Sequence, residues 1–100
     1  MPKTIPLSTP LQTHTGEVKE LTLRDPIGAD FIAINKLPFV MASDGTMSST
    51  TPDFAVAAQW MARLSGVDAI LIGTLGARDF SAVMRGLGDH LMAEADAPGN

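Results

Sequence analysis

The sequence predicts a small α+β domain, a short N-terminal antiparallel β-hairpin packed on a bundle of three to four α-helices, and three observations carry that prediction. Ile5, Leu7 and Leu11, then Leu21 and Leu23, fall at alternating positions, the period of half-buried strands. Further along, Phe54, Ala57, Ala58, Met61 and Leu64 recur at helical spacing, as do Phe80, Val83, Met84, Leu87 and Leu91. Between the two regimes stand Asp25 and Pro26, a capping acid followed by a residue tolerated at the first helical position.

The first strand should cover Thr4 to Leu11 and lie at a sheet edge, because Pro6 and Pro10 each remove a ladder donor. Gln12 to Gly16, polar and ending in glycine, turns the chain back into a second strand, Glu17 to Arg24. Two strands alone do not hold in water and must pack on helices. The first helix is expected from about Pro26 to Lys36, with Ile27, Phe31 and Ile34 on its apolar face and Pro38 ending it. Leu37 to Ala42 reads equally as a short strand or a buried connection. Ser43 to Thr51, with glycine and small hydroxyl residues, reads as a flexible surface loop.

A second helix should start near Pro52 under a Thr50 or Thr51 cap, with Asp53 in its first turn, and close at Gly66. Asp68 opens a short third helix, Ala69 to about Gly73, whose apolar composition predicts burial. A fourth begins near Ala77 or Arg78, with Arg78, Asp79, Arg85 and Asp89 off its apolar face and with Gly86 and Gly88 weakening it. All of residues 1–100 form one domain in this reading, folded over about 3–92, with 95–100 a disordered tail.

Composition narrows the function. The net charge of −4 and the scattered placement of seven basic residues disfavour nucleic acid and anionic membrane as partners. Without cysteine, disulfides and thiolate metal sites are excluded, which fits a cytoplasmic protein. No signal-peptide pattern is present, and no apolar run approaches the ~20 residues of a membrane span. His14 and His90 lack metal-site spacing, Asp25 and Asp30 are explained by capping, and the serines lack a nucleophile elbow. Gly73 and Gly76 lack the lysine and hydroxyl of a phosphate loop. The expectation is a non-enzyme with no cofactor and no metal, a small acidic module that binds another protein.

The candidate contact residues are Arg24, Trp60, Met84, Leu87, Leu91 and Met92. Trp60 lies beside the stripe of the second helix and is read as partly exposed; the others sit on the glycine-bearing last helix, apart from Arg24 at the strand end. Arg24 has two readings, an ion pair with Asp30 or Asp79, or a fork offered to a partner.

The order of segments carries more than any one residue. GEVKELTLRDPIGAD with Leu21, Leu23, Arg24, Pro26 and Asp30, the helix end MARLSGV with Leu64, Gly66 and Val67, and LGARDFSAV with Asp79 and Phe80 together resemble the tail assembly chaperone family of Mu-like and related tailed bacteriophages and prophages. The resemblance spans roughly residues 3–92. It implies a non-catalytic helper that binds the tape-measure protein in the host cytoplasm, keeps it soluble during tail morphogenesis and is absent from the mature virion. It also implies the option of a longer, frameshifted form that recruits tail-tube protein. The competing reading is a small acidic adaptor or regulatory subunit of an unrelated complex. Oligomeric state is open.

Overall fold

A computed structural model describes residues 1–43 and 48–95. Strands β1 (Lys3–Thr13) and β2 (Gly16–Leu23) form an antiparallel hairpin, followed by α1 (Gly28–Ile34), a second hairpin β3 (Phe39–Ser43) and β4 (Ser48–Pro52), and helices α2 (Phe54–Ser65), α3 (Ala69–Ile72) and α4 (Ala77–Ala95). The α+β class and the N-terminal hairpin are as expected; the second hairpin is an addition.

The first hairpin turns at Thr13 to Gly16, as the sequence indicates. Gly16 has φ +116°, which side-chain-bearing residues rarely adopt, and its carbonyl accepts from the Thr13 hydroxyl at 2.8 Å. Ile5 pairs with Leu21 and Leu11 with Val18, and the register shifts between Pro6 and Leu11. The two prolines thus bracket a bulge, where an interrupted ladder is tolerated. Ile5, Leu11, Leu21 and Leu23 are buried, and the last two meet Trp60, Met61 and Leu64 of α2, Ile72 of α3, and Val83 and Leu87 of α4 in one core.

Several elements differ from expectation. Ser48–Pro52 is a strand paired with Phe39–Ser43, where the sequence reads as loop and helix start; positions 44–47 of that loop and 96–100 of the tail lie outside the described residues. Asp53 is itself the N-cap of α2, its carboxylate accepting from Val56 N–H at 3.1 Å in place of a threonine cap. Gly66 closes α2 in the left-handed conformation, as expected. Asp68 caps α3, but Ile70 at the start of that helix is 78% exposed, because one turn can bury only one side and that side is Ile72.

α4 runs through both glycines. A Cβ on Gly86 would sit 2.5 Å from Ile5 Cδ1 and 3.0 Å from Ile5 Cγ1, so this glycine is where the helix meets β1, not a point of fraying. Asp79, expected off the packed face, is buried: its carboxylate accepts from Ser8 N–H at 2.8 Å and Thr9 N–H at 3.2 Å. It supplies the acceptor that the β1 bulge lost from its ladder. Those N–H groups hold the Asp79 carboxyl below the usual carboxylate range.

Candidate partner-binding surface

The join between β2 and α1 organises the molecule. Arg24, one residue past β2, donates its backbone N–H to the Leu64 carbonyl at 3.0 Å, and its own carbonyl accepts from His90 Nε2 at 3.1 Å. One residue thereby ties the strand end to α2 and α4. A carbonyl cannot donate, so Nε2 of the buried His90 ring is the donor of this bond. His90 is a structural histidine, and its nearest carboxylate, Asp25, is 3.8 Å away.

The Arg24 side chain reaches forward. Its two terminal nitrogens bind Asp30 Oδ2 at 2.8 Å and Oδ1 at 2.7 Å, a bidentate fork. Of the two readings of this arginine, the structure has the ion pair, with Asp30 as partner. Arg63 of α2 donates its Nε–H to the same Oδ1, and Ile27 N–H reaches Oδ2 at 2.8 Å. Asp30 is fully buried and accepts four donors. The Arg24 guanidinium, before the other donors, holds its carboxyl far below the usual carboxylate range, against the opposing effect of burial. Asp30 in turn raises the Arg24 guanidinium further above its ordinary value.

This network sets where α1 begins and what it buries. Ile27, not Asp25, is its N-cap, and Asn35 at φ 58° ends it before Pro38 is reached. Asp30 faces inward, and two residues of the side expected to be buried reach solvent, Ile27 at 59% exposed and Phe31 at 40%, beside Ile32 at 80% and Leu37 just beyond the helix at 48%. Ile34, also of the expected apolar face, packs against the core. Ile27 and Phe31, four apart, share one helical face. Phe31 rests edge-on against Trp60, ring centroids 4.9 Å apart, so the patch is seated on the core rather than hung from a loop.

The other contact residues named from the sequence divide. Trp60 is fully buried, with its indole N–H on the Lys36 carbonyl at 2.8 Å, and Leu87 and Leu91 are core residues; none presents a surface. Their helical faces are fixed by the packing of α2 on β2 and of α4 on β1 and α2. Met84 is half-buried and Met92 exposed, and Arg24 keeps part of its side chain in solvent. Sequence reasoning missed Ile27, Phe31, Ile32 and Leu37 as surface residues; the signal that locates them is Asp30, a charge on a short helix with arginines able to reach it.

Two surface grooves flank α3, each with a volume of about 470 Å³. One runs between the tip of the first hairpin and the α2–α3 turn past His14, Glu20 and Asp68; the other passes Pro10, Leu75 and Asp79. Among the described residues no group of histidine and carboxylate side chains is arranged to hold a metal ion, and no helix is long and apolar enough to cross a membrane.

A family model described as "Phage tail assembly chaperone proteins, E, or 41 or 14" matches residues 4–91. No curated protein and no solved structure gives a significant match.

Proposed function

The chain belongs to the phage tail assembly chaperone family, and from that premise we propose that it binds the tape-measure protein and keeps it soluble during tail morphogenesis, through the outward face of α1. The observation that carries this reading is the apolar exposure around α1: its buried side chain is Asp30, while Ile27 at its N-cap, Phe31 and Ile32 reach solvent. Several exposed large apolar side chains on one short segment of a small protein mark a protein contact, and a helical client with its own apolar stripe is the natural occupant of a helix face. Such a client aggregates unless its stripe is covered. The role is non-catalytic and is performed in the host cytoplasm, before the virion is complete. Met84 and Met92 of α4 are accessible enough to extend the contact, and a longer form of the chain would bring tail-tube protein to the same client.

Co-expression with the tape-measure protein of the same phage tests the proposal. The unsubstituted protein should keep the tape measure in the soluble fraction and co-purify with it. Ile32→Asp should lose that capture while melting at the same temperature, because the side chain is mostly in solvent. Undiminished capture by Ile32→Asp and Ile27→Asp together removes α1 from the account.

A further inference from the structure

The charge around α1 does not balance. Asp30 is a single carboxylate held between two guanidinium groups, and all of its acceptor positions are taken by Arg24, Arg63 and Ile27. Arg24 spends both terminal nitrogens on that carboxylate. Arg63 spends only Nε, which leaves its two terminal amino groups without a partner among the described residues, on a side chain 38% exposed. Lys36 adds a further cation at the other end of α1. Arg24, Arg63 and Lys36 outnumber Asp25 and Asp30 around α1, so a chain of net charge −4 carries a local excess of positive charge there.

Guanidinium forks match carboxylates in plane and spacing, and Arg63 is already oriented by its bond to Asp30. Ile27 N–H and Arg63 Nε–H end on the same Asp30 carboxylate, so the Arg63 guanidinium lies beside the N-terminal end of α1, where Ile27 is exposed. We propose that the free edge of Arg63 receives a carboxylate from the bound segment, so that the preferred occupant of the α1 surface is an amphipathic helix whose apolar stripe is flanked by Asp or Glu. This rests on the reading of α1 as the docking face and adds to it the chemistry of the client.

The test measures affinity for the tape-measure protein in the unsubstituted protein and in Arg63→Gln, Arg63→Lys and Ile32→Asp, each at low and high salt, with melting followed by circular dichroism. Arg63→Gln should weaken binding by about tenfold and flatten its salt dependence, and Arg63→Lys, which keeps the charge but not the fork, should recover part of the loss. Ile32→Asp weakening the complex while Arg63→Gln and salt leave it unchanged overturns the carboxylate site and keeps the docking face. Full binding by Ile32→Asp overturns both. Where Arg63→Gln does not fold, the salt dependence of the unsubstituted complex decides: affinity that falls severalfold as salt rises supports the site, and flat affinity overturns it.

Discussion

Asp30→Asn is the sharpest perturbation of this fold, because it changes no volume and removes one charge at the point where β2, α1 and α2 meet. The carboxylate accepts four donors, three of them from guanidinium groups. Hydrogen bonds to charged groups contribute roughly 1.5–3 kcal/mol each in favourable settings, but both arginines keep part of their surface in water and recover solvation when released. The side-chain amide also turns an N–H donor toward one guanidinium. Weighing these, the substitution should cost about 2–4 kcal/mol at pH 7, a large share of the ~5–15 kcal/mol of a domain this size. The pH dependence has a definite sign. Asp30 has a folded-state pKa far below its unfolded value of 3.8, so its contribution is fully present above about pH 4 and is lost as the pH falls below that toward the folded-state value. Urea unfolding of both proteins at pH 7 and near pH 3 therefore checks two things. The gap between them should be wide at pH 7 and narrower at pH 3. A gap within about 0.5 kcal/mol at pH 7, or one that does not shrink on acidification, refutes the assignment of Asp30 as the charged anchor.

Gly86→Ala and Ile5→Val form a double-mutant cycle. The alanine gains ~1 kcal/mol of helix propensity but drives its Cβ into Ile5, and should destabilise by about 1 kcal/mol net; Ile5→Val alone should cost ~1 kcal/mol, and the double variant should be at least 1 kcal/mol more stable than the sum predicts, whereas additivity removes the close contact from the explanation. Trp60→Phe should lose about 2 kcal/mol by denaturant titration through the vacated volume and the indole bond to Lys36, and the fluorescence of the single Trp in the unsubstituted protein should resist an aqueous quencher until unfolding. Asp79→Asn should speed hydrogen exchange at Ser8 and Thr9 ahead of the rest of β1. Its stabilising effect, like that of Asp30, is present above the ordinary carboxylate range and lost below it.

Local signals were legible and long-range ones were not. The turn at Gly16, the left-handed closure at Gly66 and the Asp68 cap follow from residues within a few positions of one another. Trp60 was misjudged because the stripe was centred on Phe54. Spacing of three and four from Ala57, Val56 and Leu64 puts Trp60 at the centre of the buried face, and Phe54 at the rim. β4 has no apolar residue in Ser48–Pro52, so no period exists for a pattern to reveal. Asp79 finds its donors 71 and 70 positions away, and the prolines at 6 and 10 announce an interrupted ladder without saying what completes it. α1 is the instructive case for function. Its apolar spacing places Ile34 correctly on the core, but that the inward position between Ile27 and Ile34 goes to a charged Asp30 depends on Arg24 and on Arg63, the latter 33 positions away.

The apolar exposure around α1 also sets the strength of whatever it holds. The exposed fractions of Ile27, Phe31, Ile32 and Leu37 correspond to roughly 400 Å² of apolar surface, within the ~300–600 Å² range of functional patches on small monomers. At about 25 cal/mol per Å², covering it yields ~10 kcal/mol. Association itself costs ~4–15 kcal/mol in lost freedom, so the patch alone holds a helix weakly and reversibly. The proposed role, in which a client is given up to a growing tube, requires that range, and a core-sized interface would obstruct hand-over. Weak apolar contact has the defect of accepting any stripe. A carboxylate met by the Arg63 fork corrects this, because it adds register and discrimination with little buried area. Placing the anchoring charge inside thus serves both ends: Asp30 fixes the helix together with Ile34 and the edge of Phe31 against the core, and leaves Ile27 and Ile32 for the client.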